Sequence, residues 1–129
     1  TIDDARRAAE RFLLRGTRIV IIKMGSQGAV VVQHADDRNP AATPTPQHSP
    51  SAAIQTHHVP GFRVPVLDTT AAGDAFNAAL AVGLAEGMGL LQAVRFANAA
   101  GALACTKMGA LPAMPSRADV EALLNPPPK

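Results

Sequence analysis

The run Asp68-Thr69-Thr70-Ala71-Ala72-Gly73-Asp74-Ala75-Phe76 sets two carboxylates around small residues immediately ahead of a helical pattern. That order of residue types can hold a phosphate beside a general base. Ala71, Ala72 and Gly73 have almost no side chain to keep an anion away from backbone N–H groups, which are unpaired at a helix start and lie at the positive end of its dipole. Asp74, just inside the helix, is placed to take a proton from an alcohol. A second small-residue stretch, Lys23-Met24-Gly25-Ser26-Gln27-Gly28, follows an apolar β-branched run and reads as a tight turn whose glycines supply positive φ. Asp68 on its own residues reads as a carboxylate at a strand end that accepts from nearby backbone N–H groups.

The elements that must position these residues follow from periodicity. Asp3 to Leu14 carries apolar residues at Ala5, Ala8, Ala9, Phe12 and Leu13, the spacing of an amphipathic helix, with acids first and Arg11 and Arg15 late; Gly16 ends it. Arg6, Arg7, Arg11 and Arg15 form its wet face. Arg18 to Ile22 predicts a buried strand, and Gly25 to Gly28 turn the chain into a second one at Ala29 to Val32. Val64-Pro65-Val66-Leu67 predicts a short strand running into the aspartate run. From Asp74 onward, Phe76, Ala79, Leu80, Gly83 and Leu84 mark one helix face, closed by Glu86-Gly87. A further helix is predicted from Leu90 to about Thr106 with Leu91, Val94, Ala97 and Gly101 inward. A last one opens at Ser116, with Asp119 in the capping-box position, and runs through Leu124 to the prolines at 126–128.

Between His34 and Ser51 the chain carries Asp36, Asp37 and Arg38 with prolines at 40, 44, 46 and 50, which disfavours helix and ladder alike. This predicts an exposed proline-rich loop inserted at about 34–56, not a domain linker, because the apolar patterns on either side are too short for independent cores. His34, His48, His57 and His58 fall in or beside this loop without a carboxylate or cysteine at metal-ligand spacing, so a solvated pair at 57 and 58 is expected.

With 129 residues, 47% of them hydrophobic, the chain can bury one modest core. A net charge of +2, with no tyrosine or tryptophan to stack on bases, argues against nucleic acid. No apolar run reaches a membrane span, and the first residues show no signal-peptide pattern, so a cytoplasmic location is expected. The single cysteine, Cys105, fits a reducing compartment and reads as a small buried residue.

The aspartate run also resembles the C-terminal motif of the ribokinase-like (PfkB) sugar kinases, D-T-T-G/A-A-G-D-x-F. The resemblance extends through Val59-Pro60-Gly61-Phe62-Arg63-Val64, Arg95-Phe96-Ala97-Asn98-Ala99-Ala100 and Thr106-Lys107-Met108-Gly109-Ala110 with Pro112. It covers most of the chain from Thr17 to Leu124. Alanine at position 71 is more similar to ribokinases than to fructokinases or adenosine kinases. The resemblance implies an α/β fold, the C-terminal portion of a three-layer αβα Rossmann-like sandwich, with residues 1–129 as the nucleotide-binding part of the kinase domain. It implies ATP-dependent phosphorylation of a sugar's primary hydroxyl, D-ribose to D-ribose 5-phosphate, with ATP, Mg²⁺ and a monovalent cation, K⁺. Asp74 becomes the catalytic base at the substrate, and Ala71, Ala72 and Gly73 the anion hole. Lys23, Met24, Gly25, Ser26, Gln27 and Gly28, with Gly73, Asp74 and Asn98, become nucleotide contacts. Asp68 and Thr70 become cation ligands, joined by carbonyls at Ala104, Lys107 and Gly109. Ala113 stands near a position where relatives often supply a serine hydroxyl.

The implied partners are ATP and a small sugar, with homodimerisation of the full-length protein through a lid. Relatives are more than twice as long, and nothing here matches their glycine-pair sugar motif or lid strands. The expectation is therefore a C-terminal part that is inactive alone. Fructokinase or another PfkB-type sugar kinase, and a truncated non-catalytic nucleotide-binding fragment, remain as alternatives.

Overall fold

A computed structural model describes residues 1–35 and 53–127. Helix α1 (Ile2–Leu13) is opened by Thr1, whose side chain accepts from the Asp4 N–H in a capping box. It leads into β1 (Ile19–Lys23), a single short turn at Gly25–Gln27, and β2 (Ala29–His34). The described chain resumes with β3 (Ile54–Val59). Helices α2 (Ala72–Ala85), α3 (Leu90–Ala104) and α4 (Arg117–Leu124) follow. The strands form one three-stranded sheet in the order β1-β2-β3, and both pairings are antiparallel, with Ile21 opposite Val31 and Val31 opposite His57.

The sheet is covered on both faces, which explains why β2 is apolar at successive positions rather than alternating. Val30 and Val32 pack with Ala5, Ala9 and Leu13 of α1, joined by Val20 and Ile22 of β1. Ala29 and Val31 point the other way, into a cluster with Val59, Phe76, Leu90, Val94 and Ala97, joined by Ile19 and Ile21. The result is α1, then the sheet, then the α2–α3 pair, in three layers. Helix α4 closes the far side of α3 through Val120, which packs with Phe96, Ala99 and Ala100. Arg117 ties α4 to the end of α2 by pairing with Glu86 Oε1 at 2.6 Å.

Several expectations are corrected. No strand forms at Val64–Leu67; Val66 and Leu67 are 65% and 62% exposed, and the Leu67 and Asp68 N–H groups donate to the Cys105 carbonyl at 2.8 and 3.2 Å. Pro65 cannot donate to a ladder, and the end of α3 supplies an acceptor instead. The loop predicted at 34–56 is narrower at both ends, because His34 belongs to β2 and Ile54–Val59 to β3; the rest of that prediction, with His48, falls outside the described residues. His57 and His58 sit in a strand, and the His58 ring Nε2 lies 2.7 Å from the Gln27 carbonyl. In α3 the inward residue is Leu90, while Leu91 is 40% exposed. In α1 Ala8 and Phe12 face outward, Phe12 at 54% exposure.

Candidate active site

A groove of about 840 Å³ runs between the turn after β1 and the head of α2, with α3 as its floor. The turn is built by backbone bonds: Met24 N–H to the Gly28 carbonyl at 2.7 Å and Gly28 N–H to the Gly25 carbonyl at 3.0 Å. Gly25 and Gly28 have φ of 59° and 91°, which is why glycine stands at both positions. Gly28 also has no room for a side chain, since a Cβ would lie 2.2 Å from the Val59 carbonyl and 2.4 Å from Gly61 N.

The opposite wall is the start of α2. Its N-cap, Ala71, has no side chain able to cap the helix. The Ala72 N–H donates to the Thr69 carbonyl at 3.2 Å and the Ala75 N–H to the Ala71 carbonyl at 2.9 Å. Among the described residues, the Gly73 and Asp74 amides between them meet no acceptor. The donors open to an anion are thus at Gly73 and Asp74. Of the expected set Ala71, Ala72 and Gly73, the Ala72 amide here donates to Thr69 and Ala71 is buried, while Gly73 keeps its amide open. Asp74 is exposed in the first helical turn, beside the groove lining rather than within it.

Lys23 joins the two walls. Its Nζ lies 3.3 Å from Asn77 Oδ1, 3.4 Å from the Gly73 carbonyl and 5.6 Å from the centre of the Phe76 ring. No carboxylate among the described residues forms an ion pair with it. Its charge therefore adds to the positive end of the α2 dipole at the groove. Gly25, Ser26, Gln27 and Gly28 line the same groove, whereas Met24 turns its side chain to the α1 side of the sheet, among Val30, Val32 and Leu13. Asn98 lines the floor but is buried at 7% exposure, and its Nδ2 donates to the Val59 and Pro60 carbonyls at 2.9 and 3.2 Å. Sequence reasoning missed Asn77, His58 and Gly61. Only Gly61 left a signal, as the glycine of a Pro-Gly pair flanking the motif.

Asp68, Thr70 and Gly109 come together. Asp68 Oδ1 accepts from the Thr70 N–H at 2.9 Å and the Thr70 hydroxyl at 2.6 Å, and Oδ2 accepts from the Gly109 N–H at 2.8 Å. The Thr70 hydroxyl first, then the Gly109 and Thr70 amides, hold the Asp68 carboxyl below the usual carboxylate range. Gly109 thus meets Asp68 through its N–H. Ala104 and Ala113 are buried and Lys107 is exposed, and no hydrogen bond among the described residues joins them to Asp68 or Thr70. No group of three or more His, Cys, Asp or Glu side chains able to hold a metal ion occurs among the described residues.

Residues 1–117, which include the whole groove, match the pfkB family carbohydrate kinases. The chain belongs to that family. Within it, the chain is 52% identical over 75 residues to a ribokinase of Bacillus subtilis, a stretch that is 58% of this chain and 26% of that protein. It is 42% identical over 73 residues to fructokinase-2 of Zea mays, covering 51% of this chain and 22% of the maize protein. Among solved structures, Arabidopsis thaliana ribokinase complexed with ribose and ATP superposes with a TM-score of 0.71 at 30% identity, over 96% of this chain and 34% of that one. The fold of this pfkB chain is therefore the ribokinase-like α/β fold, and the chain spans about a fifth to a third of the length of these relatives. No helix among its described residues is long and apolar enough to cross a membrane.

Proposed function

We propose that this chain supplies the nucleotide side and the general base of an ATP-dependent sugar kinase that phosphorylates a primary hydroxyl, with D-ribose as substrate and D-ribose 5-phosphate as product. The observation that carries the reading is the convergence on one groove of the Gly25–Gly28 turn, the unpaired amide of Gly73 and the Lys23 ammonium, with the Asp74 amide beside it. Phosphoryl transfer asks mainly for positioning and for stabilisation of charge on the transferring group. The turn offers close backbone approach along a polyphosphate, and the α2 amides face the charge that builds on the γ-phosphoryl oxygens. Asp74, on the first turn of the same helix, receives the hydroxyl proton as that oxygen attacks phosphorus; the β–γ bridging oxygen leaves with ADP.

Mg²⁺ suits such a site as an ion held chiefly by phosphate oxygens and water, neutralising phosphate charge when bound. The K⁺ set is poorer: Asp68 already accepts three N–H or O–H donors, and Ala113 has no hydroxyl.

Replacing Asp74 by Asn in the full-length protein should leave folding intact and lower sugar phosphorylation by roughly 10²–10⁴-fold, the usual worth of a positioned base. Substantial remaining turnover would remove Asp74 from the mechanism. The maize relative favours a second reading, fructokinase, and a panel of pentoses and hexoses with ATP separates the two. A third, a non-catalytic nucleotide-binding fragment, is supported by Asp74 standing beside the groove; nucleotide binding without turnover in the full-length protein would favour it.

A further inference from the structure

One face of α3 contributes Asn98, Gly101 and Cys105 to the groove floor, and each of the three touches a different wall. Gly101 lies so close to the head of α2 that a Cβ there would sit 3.1 Å from the Ala72 carbonyl. The Cys105 carbonyl accepts the Leu67 and Asp68 amides. Asn98 reaches the third wall, where its Nδ2 group donates to the carbonyls of Val59 and Pro60. An amide –NH₂ has two hydrogens, and two acceptors account for both. Asn98 is 7% exposed, so this is a buried strut between segments far apart in sequence.

The segment it holds bears directly on the turn. A Cβ at Gly61 would lie 2.6 Å from the Ser26 carbonyl and 2.9 Å from Gly28 N. Backbone presses on backbone, with no pliable side chain between to absorb a shift.

We propose that Asn98 is a positioning residue for the nucleotide turn. It acts through Val59–Gly61, which in turn fixes Ser26–Gly28 at the spacing from the α2 head that a nucleoside triphosphate spans. The inference rests on the reading of the groove as a nucleotide site, and it makes Asn98 a support of that site rather than a contact to the base.

The test uses the full-length protein and the fluorescent nucleotide N-methylanthraniloyl-ADP, with Asn98→Ala and Asn98→Asp. Aspartate keeps an oxygen acceptor at the groove floor and loses both N–H donors. A positioning role predicts that both variants bind at least about tenfold more weakly, the scale expected when buried carbonyls lose a donor. Backbone hydrogen exchange should quicken at Ser26–Gly28 but not within α2, and kcat at saturating ATP should stay within about twofold while KM for ATP rises. Binding of Asn98→Asp at the wild-type affinity would overturn the inference, whether or not Asn98→Ala is weakened. If neither variant folds, Gly61→Ala displaces the same turn without touching Asn98 and should show the same loss of nucleotide; unchanged affinity there would also refute it. A wild-type protein that binds no nucleotide refutes instead the function proposed for the groove.

Discussion

Gly28→Ala tests how tightly the turn is locked to the sheet. Gly28 has φ 91° and ψ −127°, a combination that costs a residue with a Cβ about 1–3 kcal/mol. The Cβ would also meet the Val59 carbonyl at 2.2 Å, Gly61 N at 2.4 Å and the Pro60 carbonyl carbon at 2.6 Å. All three are backbone atoms that cannot rotate aside, so relief requires the turn to lift away from β3, at about a further 1–3 kcal/mol. The loss should therefore fall at about 2–6 kcal/mol, a large part of the 5–15 kcal/mol that holds an ordinary domain folded. Gly25→Ala is the control: its φ is also positive, at 59°, but nothing lies within 4 Å of a Cβ there, so it should cost only about 1 kcal/mol. Urea titrations of the full-length protein, followed by far-ultraviolet circular dichroism, give both values. Equal losses for the two variants would refute the packing part of the reasoning and leave backbone strain alone.

Other outcomes follow from the same geometry. Lys23→Met should raise KM for ATP severalfold at low salt and less at high salt, since the ammonium acts through charge; an unchanged KM would detach it from the phosphates. Asp68 has its carboxyl lowered in the folded state, so the stability it contributes is complete above the unfolded value of about 3.9 and is lost as pH falls from there through the folded value. Asp68→Asn should accordingly flatten the acid limb of the stability profile, and an acid limb identical to wild type would count against the bonds to Thr70 and Gly109. Ser116→Ala removes the side-chain acceptor for the Asp119 N–H and should cost about 1 kcal/mol, measurable as a lower urea midpoint.

The parts of the fold legible in the sequence were those with local causes. The Ser116–Asp119 capping box, the acid-first α1 and the β1–β2 hairpin are each encoded in a few neighbouring residues, and the structure carries all three. Strand β3 was not legible: Ile54-Gln55-Thr56-His57-His58-Val59 has no clean alternation, and only Val59 is buried, so the strand is held by its ladder to β2 and not by an apolar face of its own. Val64–Leu67 misled in the opposite sense, being apolar yet exposed at Val66 and Leu67, because its backbone acceptor comes from the end of α3. At the site, the small-residue head of α2 and the glycine turn were readable from residue type. Which amides stay unpaired is decided by local backbone geometry at the α2 head, which way Met24 points by the packing of α1 on the sheet, and what Asn98 holds by carbonyls far away in sequence, and side-chain identity carries no record of these.

The ladder between β2 and β3 has a bearing on how such a chain can be lengthened. Its last rung pairs His34 with Ile54, and the Ala35 N–H still reaches the Ala53 carbonyl at 2.8 Å. The polypeptide therefore departs and returns at adjacent points, on the side of the sheet where β2 ends, whereas the glycine turn adjoins the end where β2 begins. A closure whose ends already meet is insensitive to what is threaded between them, each doubling of its length costing only about 0.6 kcal/mol. That meeting point lies remote in the ladder from the groove that Gly28 borders.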